Sequence, residues 1–411
     1  MASENLSIEL DTIRCRLQGT SIAQKLDALL DAIQYGQAGV ELVAQALNDR
    51  SREVRQAAFL LLSDCSKDTL GQAIWNHLPF SQMQCLHTLT ELGKNSRASE
   101  FSSVYLEHFV IADCTNTLIC YWVLDYKHSF IQIWDLLTGK PKEHKDLRTH
   151  EFGLGKEGKV IVVTYQDWLW TLSTAHLEKI GHEQIDFFIS THLAFAICPA
   201  RQPLVAAGYT TDNAGELEIR NYETNDRHLH YKFAGLSLFT QSMIRHSPEL
   251  NWLQKYPPLL FTPDGEILVS HFLRGRNESV LNVWQTESGE LLHTLDRFPA
   301  LTVMALAVDP TGEIIACGLR EDKVSVWELL SDRIIYTASA FSPCVMSSDG
   351  RVLAYSTANH DIVIWDLAMN RILCTLPGHT APISAIAISG DREFMASHSI
   401  DGTVRIWGIP E

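Results

Sequence analysis

The segment 153–158 reads GLGKEG and matches the spacing of a glycine-rich phosphate-binding loop. Such a loop binds phosphate only when it follows a strand and opens a helix, because the helix N-terminus then faces the anion. Here the segment precedes residues 159–163, whose Val and Ile residues predict a strand. Lys156 and Lys159 do not complete a P-loop, since the required spacing of glycines, lysine and hydroxyl residue is missing. The segment is therefore predicted to be a hairpin turn, and no cofactor is expected.

His228 and His230 form the second candidate for chemistry. They alternate within a strand-like segment, so both imidazoles are predicted on one face. A metal ion would need further ligands at the same place, and the sequence places none there. The favoured interpretation is a solvent-facing pair, and no metal site is predicted.

Other catalytic patterns are missing from the sequence. It contains no H-E-x-x-H zinc motif and no G-x-S-x-G nucleophile elbow. Most carboxylates fall in turns, and no spacing pairs two of them across a pocket. The sequence thus predicts no catalytic residue and favours a protein that is not an enzyme.

Composition limits the class of protein further. Hydrophobic residues make up 46% and charged residues 20% of the 411 residues, which is typical of a globular chain. The net charge of -16 argues against general nucleic-acid binding, which needs a basic surface. The 9 cysteines are scattered without a C-x-x-C pair, as in a reducing compartment. No apolar run approaches membrane-spanning length and no leader is evident, so a cytoplasmic protein without membrane contact is expected.

The region 378–407 shows how the chain is built. Three strand-like segments alternate apolar and polar residues, with turns at 389–392 and at 401–402 between them. The region opens on Gly378-His379 and closes on Trp407. One such unit leaves an apolar face uncovered, so it needs neighbouring copies to be stable.

Earlier copies can be found from the closing tryptophan. Each strand-like segment has a residue at the position of this tryptophan. Successive positions are 36, 50, 64, 43, 38 and 42 residues apart, close to the known repeat period of about 40–45 residues. The series is Trp134, Trp170, Arg220 in place of a tryptophan, Trp284, Trp327, Trp365 and Trp407. Turns such as 262–265 and 347–350 have the composition of type I turns between the first two strands.

These units resemble the WD repeat, and the chain resembles a WD-repeat β-propeller protein of bacterial type. The resemblance implies an α+β multidomain chain in which a seven-bladed all-β propeller follows the N-terminal region. It further implies a structural hydrogen-bond network in the blades, rather than catalytic groups. On the matching positions, that network comprises His379, Ser397 or Ser399, Asp401, Trp407 and the tryptophans Trp365, Trp327, Trp284 and Trp134.

The N-terminal region has helical periodicity instead. Residues 22–33 carry an apolar stripe, with Ser21 as a predicted N-cap and Gly36 as a predicted stop. Residues 39–62 form a helix, a turn at 48–51 and a second helix, which resembles a HEAT repeat. A further helix is predicted at 69–78, containing Trp75. The predicted domains are a helical HEAT-like domain at 1–92, a linker at 93–100 and the propeller at 101–411.

The last repeat has only three strands before the sequence ends, which leaves an unpaired strand edge. In WD-repeat propellers a strand from the N-terminal side completes this blade. Residues 101–106, just before the first repeat, are the predicted closing strand.

The longest step in the series indicates an insertion at 234–258. A long loop in a compact domain is often functional. Its apolar residues Phe239, Met243, Trp252 and Tyr256 are candidates for partner binding, although a short helix packed on the propeller explains them equally simply.

The resemblance implies a non-catalytic scaffold or adaptor that binds protein or peptide partners on the propeller face. Two alternatives remain open: an enzyme with its active site at the channel mouth, such as a hydrolase or lyase, and a structural subunit of a stable complex. The expected partners are other proteins of unknown identity, with no nucleic acid and no membrane, and a monomer is the default oligomeric state.

Overall fold

The structure is a computed structural model of the chain. It describes residues 2–63, 79–90, 105–112, 115–123, 129–147, 152–155, 158–165, 168–184, 194–200, 202–211, 214–224, 226–234, 236–238, 259–262, 264–274, 278–299, 303–308, 314–319, 323–328, 333–347 and 350–410. The helix predicted at 69–78 and the linker predicted at 93–100 lie outside the described residues. The described part forms two compact units. Unit 1 comprises Met1–Gln84, Asp391–Glu393 and Gly408–Glu411, and unit 2 comprises Cys85–Gly390 and Phe394–Trp407.

Unit 1 is helical. Its α-helices are α1 (Ala2–Leu17), α2 (Ile22–Ala32), α3 (Gly36–Gln45) and α4 (Arg52–Ser63), with 3₁₀ turns at Ile33–Tyr35, Ala46–Asn48 and Pro79–Gln82. Ser21 caps α2, since its hydroxyl accepts a hydrogen bond from the Gln24 backbone N–H at 3.4 Å. Gly36 has φ +59°, a left-handed conformation that favours glycine, and it follows the 3₁₀ turn that ends α2.

The core of unit 1 comes from the apolar stripes of these helices. Leu29, Val43 and Ala58 have no exposed surface, and small alanines at Ala28, Ala32 and Ala44 let the helices approach closely. The helix–turn–helix predicted for 39–62 is present, with its turn before Arg52. Helical periodicity and capping therefore predicted this unit correctly over its described residues.

A buried ion pair completes unit 1. The Arg55 guanidinium donates to both carboxylate oxygens of Glu393, at 2.8 Å from Nε and 2.7 Å from Nη2. Its remaining N–H groups bind the carbonyl oxygens of Asp49 and Arg50 at 2.8 and 3.0 Å. The two side chains are only 2% and 5% exposed. Burial raises the pKa of Glu393, and the adjacent Arg55 charge opposes that effect.

Unit 2 is built from antiparallel strands in seven sheets, counted over the described residues. Sheet 1 contains β2 (Tyr105–Ala112), β3 (Thr117–Val123), β4 (Ser129–Asp135) and β5 (Pro141–Leu147); sheet 2 contains β6 (Phe152–Gly155), β7 (Val160–Tyr165), β8 (Trp168–Ser173) and β9 (Lys179–Gln184). Sheet 3 contains β10 (Ala194–Ile197), β11 (Leu204–Thr211), β12 (Ala214–Asn221) and β13 (Arg227–Ala234). Each is a meander in chain order, as alternating hydrophobic segments joined by short turns predict.

The other four sheets follow the same plan. Sheet 4 contains β14 (Leu236–Leu238), β15 (Leu259–Phe261), β16 (Ile267–Arg274), β17 (Glu278–Gln285) and β18 (Leu291–Pro299); sheet 5 contains β19 (Val303–Val308), β20 (Ile314–Leu319), β21 (Lys323–Glu328) and β22 (Arg333–Ser339). Sheet 6 contains β23 (Phe341–Met346), β24 (Val352–Ser356), β25 (Ile362–Asp366) and β26 (Arg371–Leu376); sheet 7 contains β27 (Ile383–Ile388), β28 (Phe394–Ser399), β29 (Val404–Gly408) and the early strand β1 (Gln84–Leu89).

The first strands of the sheets contact one another in a closed cycle. β2 contacts β6, β6 contacts β10, β10 contacts β15, and β15 contacts β19. The cycle continues from β19 to β23 and β27, and β27 returns to β2. Unit 2 is therefore a β-propeller, with the first strands innermost and the fourth strands at the rim.

The strand that completes sheet 7 is β1, at residues 84–89, whereas the sequence predicts residues 101–106, of which 101–104 lie outside the described residues. Tyr105 and Leu106 instead begin β2, the innermost strand of sheet 1. The prediction that an N-terminal strand completes the last sheet was right in kind, but it placed that strand about twenty residues too late. The division between the two units accordingly falls after Gln84, whereas the sequence predicts a boundary at 92.

Strand register identifies the equivalent residue in each third strand. Trp134, Trp284, Trp327 and Trp365 each follow a β-bulge and pair with the second residue of the second strand. Arg220 occupies the same position in sheet 3. In sheet 2 that position belongs to Leu172, which pairs with Ile161 next to a bulge. The assignment of Trp170 was wrong by two residues, because the sequence does not show the bulge.

The GLGKEG segment divides between a strand and a turn. Gly153 and Gly155 lie in β6, and the Gly158 N–H binds the Gly155 carbonyl oxygen at 3.1 Å in the following turn. A Cβ at Gly153 would lie 2.5 Å from Ile197, so glycine allows close sheet packing there. Gly158 lies in a turn as predicted, residues 156 and 157 lie outside the described residues, and the next element is the strand β7.

Candidate functional site

The candidate hydrogen-bond network of sheet 7 is a continuous chain of four side chains. His379 Nδ1 lies 2.9 Å from Asp401 Oδ2, and its Nε2 lies 2.8 Å from Ser397 Oγ. Trp407 Nε1 donates to the same hydroxyl at 2.9 Å. A carboxylate only accepts, so His379 Nδ1 carries the proton, and Ser397 then donates to Nε2 while accepting from Trp407. Ser397 and His379 are only 0% and 6% exposed, so the chain satisfies buried polar groups and its hydroxyl is shielded from solvent.

Local charge balance fixes the protonation of this network. Burial lowers the pKa of His379, so the neutral imidazole is favoured. Burial alone would raise the pKa of Asp401, but hydrogen bonds from Thr403, the Thr380 N–H and His379 outweigh it and hold that pKa well below its usual value. The Thr380 and Thr403 N–H groups donate at 3.0 and 2.9 Å. The arrangement therefore joins the loop before β27 to the turn before β29.

The other tryptophans of the candidate set meet different neighbours. Trp284 Nε1 donates to Ser270 at 2.8 Å, and Ser270 is equivalent to Ser397 in strand register. Trp365 packs edge-on against Tyr355 and Tyr336 at ring distances of 6.3 and 5.1 Å. Trp327 is 8% exposed in β21.

Sheet 1 has a cysteine where sheets 4 and 7 have the serine. Cys120 pairs with Gln132, at the register position of Ser270, and belongs to the same apolar cluster as Trp134. The Trp134 Nε1 is buried without a hydrogen-bond partner in the described part of the chain. Sequence analysis missed Cys120, although its spacing from Trp134 signals its equivalence to Ser270.

Sheet 3 replaces the tryptophan by a buried ion pair. Arg220 Nε lies 2.9 Å from Glu218 Oε1, and the two side chains are 8% and 4% exposed. Arg227 on β13 donates to the same carboxylate oxygen. The opposite face of β12 is apolar, because Leu217 and Ile219 pack toward sheet 4. This charged cluster was not predicted from the sequence.

The two candidate metal-binding histidines do not share a site. His230 Nε2 lies 2.9 Å from the Glu216 carboxylate, and His228 is exposed. Within the described ranges, no group of three or more His, Cys, Asp or Glu residues is placed to hold a metal ion.

Contacts between outer strands and neighbouring turns link the sheets. His87 Nε2 on β1 donates to the Leu137 carbonyl oxygen in sheet 1 at 2.7 Å. Lys145 on β5 and Tyr231 on β13 donate in the same way to Leu177 of sheet 2 and Gly289 of sheet 4. β1 thus makes the contact expected of an outer strand.

A signal for β1 was present in the sequence. Residues 86–89 read LHTL, and residues 292–295 of the outer strand β18 read LHTL as well. The shared tetrapeptide marks both segments as outer strands. Because the sequence analysis assigned residues up to 92 to the helical domain, it did not recognise residues 86–89 as an outer strand.

The remaining candidates for partner binding, Phe239, Met243, Trp252 and Tyr256, lie outside the described residues. The flanking strands β14 and β15 both pair with β16. The two described ends of the insertion therefore lie along the same strand of sheet 4.

The described surface carries isolated apolar side chains at the start of several outer strands. Ile334, Ile372 and Leu291 are 45%, 59% and 46% exposed. Met369, in the turn before β26, is 41% exposed. In a meander sheet these turns lie at the same end, so the residues occupy one side of the rim.

Comparison with known proteins supports the fold at low sequence identity. Residues 370–408 match the family model "WD domain, G-beta repeat". The β-propeller domain of Cps50 (Swd1) from Myceliophteria thermophila superposes with a TM-score of 0.52 and 13% identity, covering 80% of this chain and 100% of that domain. The chain therefore contains a WD repeat and folds, beyond its short helical region, as a β-propeller.

Curated relatives match over about a third of the chain. Pre-mRNA-processing factor 19 from Oryza sativa is 25% identical over 170 residues, 38% of this chain and 30% of that protein. Nuclear distribution protein PAC1 from Arthroderma otae is 26% identical and covers 34% of each chain. The guanine nucleotide-binding protein subunit beta of Arabidopsis thaliana is 25% identical over 36% of this chain and 42% of its own. The chain spans about a third of the first two relatives, and all three are eukaryotic, so the bacterial type stays a prediction.

No helix among the described residues combines the length and hydropathy needed to cross a membrane.

Proposed function

We propose that this chain is a non-catalytic scaffold whose propeller binds protein or peptide partners. The observation that carries the proposal is that the groups capable of chemistry are buried and bind one another. His379 is held by Asp401 and Ser397, and Glu218 by Arg220 and Arg227. Such pairing serves to satisfy buried polar groups. The matched relatives are consistent with it, since one is by name a subunit of a larger protein.

The proposal extends to the architecture. The seven sheets are seven blades of one propeller, supported by the closed cycle of contacts among their first strands. The helical region is HEAT-like, supported by the packing of α3 on α4 and by the small alanines between helices. A location in the cytoplasm is supported by the cysteine usage of the sequence. The bacterial type and a monomeric state belong to the same proposal.

Two other functions make different demands on the molecule. An enzyme at the channel mouth, such as a hydrolase or lyase, needs convergent titratable groups there. A structural subunit of a fixed complex needs a large continuous apolar surface.

Affinity purification tests the proposal. The intact chain is compared with a variant in which residues 240–256 are replaced by a short Gly-Ser linker, which keeps β14 and β15. We expect the intact chain to retain specific proteins and the variant to lose some of them while melting at the same temperature. Recovery of no protein above a tagged control with either chain would contradict the scaffold function.

A further inference from the structure

The fourth strands of sheets 5 and 6 begin with the same dipeptide. Arg333-Ile334 opens β22 and Arg371-Ile372 opens β26. Ile334 pairs with Trp327 and Ile372 pairs with Trp365, so the two dipeptides have the same register in their sheets. All four side chains belong to exposed residues. Together with Met369 they are called the Arg–Ile rim.

The register partners of the two arginines are carboxylates, Glu328 for Arg333 and Asp366 for Arg371, and both carboxylates have other partners. Asp366, the register partner of Arg371, is fully buried and accepts two hydrogen bonds from Arg351 at 3.0 and 2.9 Å. The side chains of Arg333 and Arg371 make no ion pair or hydrogen bond in the described part of the chain. On a chain with a net charge of -16, two unpaired exposed arginines beside aliphatic side chains form a local basic and apolar surface.

The corresponding positions in the other described sheets differ. They are Lys140-Pro141 in sheet 1, Glu178-Lys179 in sheet 2, Asp226-Arg227 in sheet 3 and Glu290-Leu291 in sheet 4. Sheets 2, 3 and 4 therefore place an acid where sheets 5 and 6 place an arginine. Among these six sheets, only the neighbouring sheets 5 and 6 have an arginine followed by an isoleucine at this position.

The two dipeptides are close enough for one ligand. Tyr336, two residues after Ile334, packs on Trp365 at a ring distance of 5.1 Å. Trp365 in turn lies opposite Ile372. These contacts place Ile334 and Ile372 on the order of 15 Å apart, a distance that an extended peptide of about five residues covers.

We propose that the Arg–Ile rim binds an acidic amphipathic segment of a partner protein. Its carboxylates pair with the two guanidinium groups, and its apolar side chains cover Ile334, Met369 and Ile372. Arginine suits this role because its planar fork binds a carboxylate through two hydrogen bonds. Exposed pairs of this kind are weak singly, so the segment needs both arginines and the apolar contact. This inference rests on the proposed scaffold function and assigns it a surface and a partner chemistry.

The test measures binding of a labelled synthetic peptide to the full chain by fluorescence anisotropy. The peptide has about 15 residues, with leucines interspersed among Asp and Glu. We expect saturable binding that weakens with salt and is at least tenfold weaker for the R333E/R371E variant. R333Q/R371Q and I334S/I372S should each lose affinity as well. K140E, at the equivalent position of sheet 1, serves as the matched control and should bind as the unchanged protein does.

Three results would overturn the proposal. They are no binding of the acidic peptide at millimolar concentration, binding that R333E/R371E leaves unchanged, and binding of a single-stranded oligonucleotide that the same variant abolishes. Melting curves show whether each variant folds. If R333E/R371E does not fold, the neutral variant R333Q/R371Q is used to test the loss of binding. If purified partners of the intact chain all remain bound to R333E/R371E, the rim is excluded while the scaffold function stands.

Discussion

Sheets 7 and 3 fill one structural position in two ways. In sheet 7, Trp407 donates to Ser397, which continues to His379 and Asp401. In sheet 3, Arg220 stands in the tryptophan position and pairs with Glu218. Both strands keep the apolar face directed to the next sheet. The backbone plan of a propeller blade therefore tolerates either an aromatic hydrogen-bond chain or an ion pair, provided that the buried polar groups are satisfied.

The two solutions differ in what happens when one member is lost. Loss of Ser397 or Trp407 removes hydrogen bonds between neutral groups, whereas loss of Glu218 leaves the Arg220 charge buried. Sheet 3 should accordingly be the more fragile of the two toward single substitutions.

The largest expected effect is that of Glu218→Ala. It leaves Arg220 buried without its carboxylate, so the free energy of unfolding should fall by about 3–5 kcal/mol. Urea denaturation measures the change. The matched double variant E218L/R220W removes both charges and supplies the residue found in other sheets, and it should recover most of the loss. If E218A lowers the free energy of unfolding by less than about 1 kcal/mol, the value typical of an exposed ion pair, the pair does not stabilise sheet 3.

Asp401→Ala tests sheet 7. It removes the acceptor of His379, the Thr380 N–H and the Thr403 N–H, and should cost about 2–3 kcal/mol in unfolding free energy. Asp361→Ala, in the corresponding turn of sheet 6, is the control and should cost less than about 0.5 kcal/mol. Equal effects of the two substitutions would show that the hydrogen-bond chain is energetically unimportant.

Acid should destabilise the protein through its buried histidines. Burial lowers the pKa of His271 to about 3, and lowers that of His379 as well. The unfolded chain then binds protons more readily, so stability present above pH 6.5 is lost as the pH falls. Between pH 7 and 5 His271 alone should account for about 2 kcal/mol. Denaturation at several pH values should show a flatter profile for H271L than for the unchanged protein, with the outer-strand variant H293N retaining the slope. An unaltered slope in H271L would contradict this assignment.

The smallest expected effect is an increase in stability. Cys120→Ser places a hydroxyl at the position that serves Trp284 and Trp407, so Trp134 Nε1 acquires an acceptor. The free energy of unfolding should rise by about 0.5–1 kcal/mol. Cys198→Ser, equally buried but away from the tryptophan position, should instead destabilise. A loss of stability in C120S equal to that in C198S would indicate that the orphaned indole N–H is not costly.

Sequence reasoning located the repeats because their period and turns are strongly encoded. The Trp positions in sheets 1, 4, 5, 6 and 7 lie where expected, and Ser21 caps the predicted helix. It misassigned Trp170, because a bulge decides which of two residues takes the equivalent position. It predicted a strand for Arg220 but did not predict its pairing with Glu218, since an ion pair between residues two apart on one strand leaves no periodic signal.

The closing strand was misplaced for a different reason. Residues 84–89 follow a helical region directly, and a single outer strand of six residues has too little periodicity to override that context. The partner surface depends on which side chains remain unpaired after folding. The Arg–Ile rim depends on the ion pair between Arg351 and Asp366, which the sequence does not show.

Hydrogen exchange of residues 84–89 in the intact protein tests the central claim, that β1 completes sheet 7. Exchange followed by mass spectrometry resolves this segment from its neighbours. The fold predicts that amides of β1 bonded to β29 are protected to the same extent as those of the outer strand β26. Exchange at the rate of an unstructured peptide would show that β1 does not pair with β29, and that another segment closes the propeller.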